Sequence, residues 1–301
     1  MPSDAALPAV TSAAPPGPFR AFWRAFRENR GAVIGLVVLC FVLFIAIFAN
    51  VLAPHSPIEQ YRGFTKLPPF WMEGSDPRFI LGTDAVGRDT LSRLMYGARV
   101  SLFIGLAVMV VSMVAGIALG LAAAFFGGII DVLIIRVMDL ILAIPSLVLA
   151  ILIIAVIGPN LTNTIVAVTI VGLPRYVRLV RASALTELTK DYVTAAKVSG
   201  VGKFRLMTVT VLPNCLAPLM VQAALGMSGA ILEAAGLGFL GLGAQPPTPE
   251  WGSMLADTRV LMMSHPWVMA FPGIAMLITV LAINLLGDGL RDALDPRLRR
   301  S

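Results

Sequence analysis

The sequence predicts an all-α integral membrane protein with six transmembrane helices and both termini cytoplasmic. Three observations carry this reading. Of 301 residues, 57% are hydrophobic and only 13% charged, with a mean hydropathy of +0.86; a soluble domain carries about a quarter charged residues to keep its surface wet. Apolar runs of membrane-crossing length recur along the chain. Lys and Arg are spread unevenly between the connections, which sets an orientation.

The opening Pro- and Ala-rich stretch has the composition of a disordered segment. Phe19, Phe22, Trp23 and Phe26 then fall at helical spacing opposite Arg20, Arg24 and Arg27, describing a helix that lies in the membrane interface, as an anchor or packed on another subunit. Residues 1–31 therefore form a cytoplasmic tail with an interfacial helix. Residues 32–53 are the first transmembrane helix, 22 residues with Asn50 the only strongly polar member. The run exceeds the roughly 7 to 15 apolar residues of a secretory signal and reads as an uncleaved anchor. Residues 54–99, mixed in charge and rich in turn residues, form an extracytoplasmic loop.

A five-helix core follows over 100–290, with spans at 100–126, 129–157, 161–180, 211–235 and 265–287 and a long cytoplasmic loop at 182–210. Residues 291–301 form a cytoplasmic tail. This topology puts fifteen of the 23 Lys and Arg inside, seven outside, and Arg136 within a span. The basic balance of +6 is then mostly an orientation signal and implies no nucleic-acid partner. Two cysteines, Cys40 and Cys215, and two histidines, His55 and His265, offer neither a disulfide framework nor a multi-histidine metal site.

Two nucleotide-like signatures fail on context. Gly236, Gly238 and Gly241 spell G-x-G-x-x-G at the end of a membrane span, without the strand and βαβ unit that a dinucleotide fold requires. Gly202-Lys203 resembles the end of a P-loop, but Lys197 replaces the required earlier glycine and Phe204 the magnesium-holding Ser or Thr. No catalytic site is expected in the chain. Residues 236–243 and the prolines after them cannot continue a spanning helix; they form an outer loop or a re-entrant element narrowing a pathway. Gly116 and Gly120 make a G-x-x-x-G step suited to close helix contact. Arg136 is three residues from Asp139 and is expected to pair with it, with Asp131 at the inner edge. Glu233 has no basic residue one helical turn away and is a candidate pathway or gating residue, with Gly238 and Gly241 beside it.

The cytoplasmic loop is the most informative stretch. Tyr192, Val193, Ala196 and Ser199 fit a short helix that Gly200 ends, and Pro213 suits the start of the next span. Such a helix, projecting from a membrane domain, looks made to dock into another protein.

At this loop the chain resembles the permease subunits of binding-protein-dependent ABC importers, whose E-A-A-x-x-x-G segment and following I-x-L-P align with Ala195, Ala196, Gly200, Leu212 and Pro213. Thr194 stands where the family usually has Glu, and Thr210 where it often has Ile. The 81–102 stretch, with Gly82-Thr83-Asp84, Gly87-Arg88-Asp89 and Tyr96-Gly97-Ala98-Arg99, is similar to the segment before span two in dipeptide and oligopeptide permease C subunits. Glu250-Trp251-Gly252 and the tail from Gly287 to Arg297 match the same group.

The resemblance implies a type I ABC importer-like permease core in a bacterial inner membrane. It implies as partners a second permease, two ATP-binding subunits and an extracytoplasmic solute-binding protein. ATP and Mg would sit on the partner subunits and no cofactor on this chain, with dipeptides or oligopeptides as the expected cargo. Lys190, Asp191, Tyr192, Val193, Thr194, Ala195, Ala196, Gly200, Lys203, Phe204, Arg205, Leu212 and Pro213 would then be the coupling contact to the ATPase, the stretch 189–205 acting as a lever. Two readings from other classes are an ion-gradient-coupled secondary transporter or channel using Asp139 and Glu233, and an intramembrane hydrolase using Ser264 and His265. No obvious repeat joins the two halves, and adjacent residues on a helix point apart, so neither matches the sequence as well.

Overall fold

A computed structural model describes residues 17–294; the Pro- and Ala-rich opening and the last tail residues lie outside them. Helix α1 (Pro18–Glu28) leads into α2 (Arg30–Leu52). After a loop come α3 (Thr90–Phe126), α4 (Gly128–Leu142), α5 (Ser146–Ile157) and α6 (Leu161–Leu188). The short α7 (Asp191–Val198) and the single turn α8 (Lys203–Arg205) lead through a π-helical turn into α9 (Leu212–Phe239). Helices α10 (Trp251–Thr258) and α11 (Pro266–Leu294) complete the set, and no strand occurs among the described residues.

By length and apolarity alone, four helices could each cross a membrane, and the bent pair α4–α5 would make a fifth. The remaining expected span, the fourth, is α6, whose second half carries Arg175, Arg178 and Arg181. The third expected span is not one straight helix: α4 and α5 meet at 95° across a break at 143–145. Pro145 is the cause, because it has no N–H to give and disfavours helical backbone at the residue before it. The apolar run is continuous through this point, so hydropathy carries no trace of the bend.

Small residues set the packing. The G-x-x-x-G step lets α3 lie against α6: a Cβ on Gly120 would stand 2.7 Å from Val180 Cβ and 2.8 Å from the Val177 carbonyl. At the α2–α11 crossing, a Cβ on Gly35 would stand 2.6 Å from the Ala282 carbonyl. Asn29 caps α2 by accepting the Ala32 N–H at 3.1 Å and donates to Asp292 at 2.8 Å, tying the first span to the end of the last. Helix α1 uses its aromatic face on the chain itself, Phe22 and Phe26 packing with Ala32, Leu290 and Ala293, while Trp23 stays partly exposed. Val37, Phe41, Phe44 and Ile47 of α2 and Phe103, Val111 and Val114 of α3 are exposed, as lipid-facing side chains are.

Arg136 and Asp139 do not pair as expected. Asp139 binds Arg178 of α6 at 2.5 Å, and Asp131 takes a two-pronged contact from Arg181 at 2.5 and 2.6 Å. The approach of α4 and α6 brings the guanidinium groups of Arg178 and Arg181 within reach of the two carboxylates, and the Arg181 fork matches both oxygens of Asp131.

Three boundaries also move. Helix α3 begins at Thr90, where Asp89 accepts the Ser92 N–H at 2.9 Å, so 90–99 is helix and not loop. The cytoplasmic loop is shortened because α6 runs on to Leu188. At its other end helical backbone starts at Lys203, before Pro213, and Leu206–Val211 is a π turn. The wider turn accommodates a proline whose ring would clash with the carbonyl four residues earlier in a regular helix.

Candidate coupling surface and intramembrane site

Helix α7 ends in a Schellman motif. Gly200 takes φ +79°, its N–H bonds the Lys197 carbonyl, and the Val201 N–H reaches back to Ala196. The proposed 189–205 lever is therefore two pieces, α7 and α8, joined by a tight turn at Gly200.

One side of α7 is held by the membrane helices. Val193 is fully buried in a cluster with Val180 and Ala184 of α6, Leu206 and Val211 of the π turn, and Cys215 and Leu219 of α9. Glu187, beyond the apolar part of α6, accepts from Lys190 at 2.6 Å and from the Tyr192 hydroxyl at 2.5 Å. Asn214 of α9 donates to the same Tyr192 oxygen at 3.1 Å. Burial pushes the Glu187 carboxyl up, but the hydrogen bonds from Lys190 and Tyr192 outweigh it and hold the group below its ordinary value. Burial and the hydrogen bond to the Glu187 carboxylate push Tyr192 up to about 12.

The other side is open. Asp191, Thr194, Ala195, Lys197 and Gly200 are exposed, with Lys203 and Arg205 on the adjoining turn. Val198 is 84% exposed and Phe204 77% exposed, large apolar side chains in a segment that also carries Lys197 and Lys203. Ala196 and Leu212 are half-buried behind this face, and Pro213 is exposed on α9. The expected coupling residues thus divide: Tyr192 and Val193 seat the helix, while Thr194, Ala195, Gly200 and Phe204 face outward.

Glu233 is isolated only on its own helix. Across the bundle it meets Ser146, at the start of α5, and Arg175 of α6. Glu233 and Arg175, with Ser112, Tyr176, Gln222 and Gly229, line one narrow cleft.

Gly238 and Gly241 lie elsewhere. Gly238 is buried where a Cβ would stand 2.6 Å from Glu250 Oε2, and Gly241 takes φ +77° in the turn that ends α9. After that turn α10 packs back against α9, with Gly252 beside Ala235. Glu250 caps α10, accepting the N–H groups of Gly252 at 2.7 Å and Ser253 at 2.8 Å, and accepts from Ser101 of α3 at 3.2 Å. Trp251 donates to the Leu94 carbonyl at 3.2 Å and lies over Gly97. Gly252 sits against the backbone of Ala235. Gly97, Gly238 and Gly252 are places of close approach, whereas Gly241 supplies a left-handed turn with open space around it.

In the 54–89 loop, Arg88 binds Asp84 at 2.5 Å and Asp257 of α10 at 3.0 Å. Arg93 lies 3.5 Å from Asp84 and 3.7 Å from Asp257. This network ties the 54–89 loop to α10.

Sequence reasoning missed Glu187, Arg175 and Asp257, because each acquires its role from a partner on a distant element. No group of three or more metal-ligating side chains occurs among the described residues.

Comparison with known proteins agrees with this architecture. The binding-protein-dependent transport system inner membrane component family matches residues 116–300. The N-terminal transmembrane domain of oligopeptide transport permease C matches 17–69. The Di/tripeptide transport system permease protein DppC of Pseudomonas aeruginosa is 56% identical over 95% of this chain and 94% of its own length. The Dipeptide transport system permease protein DppC of Escherichia coli K12 is 56% identical over 97% of each. That of Alkalihalophilus pseudofirmus is 43% identical over 94% of this chain and 91% of its own length. An inward-facing structure of the MetNI methionine ABC transporter matches with a TM-score of 0.56 at 20% identity, covering 67% of this chain and 96% of that one; at that identity the likeness is one of fold. The apolar helices fit a multi-pass protein of the bacterial inner membrane. From the long family match and the relatives that share more than half of its residues, the chain belongs to the binding-protein-dependent transport system inner membrane component family, as an ABC importer permease of the dipeptide group.

Proposed function

We propose that the chain is one permease subunit of an ATP-driven importer for dipeptides or short oligopeptides. It works with a second permease, two ATP-binding subunits that hold ATP and Mg, and an extracytoplasmic solute-binding protein. The observation that carries this reading is the division of α7 into a seated side and an open side. Val193, Tyr192 and Glu187 lock the helix to α6 and α9, while Val198 and Phe204 present apolar surface outward. A helix held this way passes force in either direction: a partner that grips the outer face moves α6 and α9 with it. ATP binding by the partner pair would then shift the spans between inward-open and outward-open states, because the docked face has different contacts in each.

Thr194 is exposed on the open side of α7. Docking there rests on apolar fit and the charges of Asp191, Lys197 and Lys203, without the carboxylate that the family usually places at this position.

The test is co-expression with candidate partner subunits, purification in mild detergent, and reconstitution into liposomes. Co-purification of two ATPases and a second permease, with uptake of a dipeptide that requires ATP and binding protein, supports the reading. A chain that transports alone under an ion gradient overturns it.

A further inference from the structure

Helix α6 carries three arginines on one side, and the structure treats them differently. Arg178 and Arg181 are taken by Asp139 and Asp131 of α4. Arg175 is exposed and makes no ion pair among the described residues, although the Glu233 carboxylate lies near enough to feel its charge. The two groups line the same cleft without forming an ion pair among the described residues, which leaves both able to meet a further group.

The surroundings fit a polar solute. Ser112, Tyr176 and Gln222 line the same cleft. Nothing lies within 4 Å of where a Cβ on Gly229 would stand, and the nearest atom to one on Gly172 is Ser112 Oγ at 3.8 Å. The glycines therefore leave the mouth of the cleft open. The cleft itself holds about 20 Å³, room for a water molecule and not for a peptide. Its charges can act only on a solute that passes across its mouth, on the side where Arg175 is exposed.

Resting on the importer reading above, we propose that Arg175 and Glu233 form a two-ended transit site for the zwitterionic peptide backbone. Arg175 receives the terminal carboxylate and Glu233 the terminal ammonium. Two separated charges recognise the termini that every short peptide shares and ignore its side chains, which a carrier of varied dipeptides requires. A guanidinium suits the carboxylate because it offers a planar pair of donors.

The experiment uses the reconstituted complex with saturating binding protein and radiolabelled alanyl-alanine. Arg175→Gln and Glu233→Gln are each expected to lower ATP-driven uptake about tenfold, the scale of one lost charge-assisted hydrogen bond, while assembly and binding-protein-stimulated ATP hydrolysis persist. Gly229→Leu should block uptake. A dipeptide with a photoreactive side chain should label α9 during turnover in the unaltered complex and not in Gly229→Leu. Undiminished uptake in both charge variants overturns the site. So does loss of assembly or of stimulated hydrolysis in step with uptake, which assigns the two residues to subunit contact. Failure of the unaltered complex to take up any dipeptide is a different result, and overturns the importer reading with the site.

Discussion

The Tyr192 hydroxyl donates to Glu187 Oε2 at 2.5 Å, joining the second residue of α7 to the penultimate residue of α6. Lys190 holds the other carboxylate oxygen and Asn214 the Tyr192 oxygen, so one carboxylate gathers the end of α6 and the starts of α7 and α9. Glu187 is buried, at 9% exposure, and its contacts are therefore less diluted by water than those of a surface pair.

Replacing Glu187 by Gln removes the charge while keeping the shape. The lost charge-assisted bonds correspond to about 1–3 kcal/mol, and α7 should open more often. Amide hydrogen exchange over 191–198 is expected to speed up about tenfold or more, and peptide uptake per ATP hydrolysed to fall, with membrane insertion unchanged. Unaltered exchange would mean that the apolar seat of Val193 holds the helix by itself.

The same carboxylate sets a pH dependence. Its value in the folded chain lies below the ordinary 4.5, so the loosened state binds the proton more tightly. The stabilisation is then fully present above about 4.5 and is lost as pH falls through the lower folded value. Exchange in α7, corrected for the intrinsic chemical rate, should be flat from pH 7 to about 5 and accelerate below that. Glu187→Gln should abolish the acceleration; if it persists in the variant, another group is responsible.

Gly200 tests the turn separately from the seat. Its φ of +79° favours glycine, and no atom lies within 4 Å of an added Cβ, so substitution acts through backbone strain and not through a clash. Gly200→Val should cost about 1–3 kcal/mol, shift the Phe204 turn relative to α7, and uncouple ATP hydrolysis from uptake. Gly200→Asn, which tolerates the left-handed region, should be milder. Equal uptake per ATP in all three proteins would show that the turn geometry does not matter to coupling.

Much of this was legible in the chain. The spacing of Gly116 and Gly120 announced a close helix contact, though not its partner α6, and the pattern from Tyr192 to Gly200 gave a helix and its end, because both depend on neighbours in sequence. The 95° break at Pro145 was hidden by hydropathy, which measures burial and not direction. Pro213 was read as a helix start because a π turn, which lets helix run through proline, has no sequence mark of its own. Arg136 was paired with Asp139 on helical spacing alone, whereas the competing guanidinium of Arg178 is 39 residues away in sequence. Glu187 and Arg175 could be found only by knowing which helices meet.

The Arg88 and Arg93 network gives a prediction far from α7. Arg88 and Arg93 are both buried, at 7% and 2% exposure, and share Asp84 and Asp257. Of the four, Asp257 is the one on α10, and it carries the ion pair between that helix and the 54–89 loop among the described residues. Asp257→Asn leaves two buried guanidinium groups facing one carboxylate, and because Asp257 is itself partly exposed the loss is about 1–3 kcal/mol. The loop should then separate from α10 without loss of the membrane helices. A cysteine at Val86 should be labelled from the extracytoplasmic side in either protein, and limited proteolysis should cut within 54–89 several-fold faster in the variant. Labelling from the cytoplasmic side would overturn the topology, and equal proteolysis would show that the Thr83 and Asp84 turn holds the loop without α10.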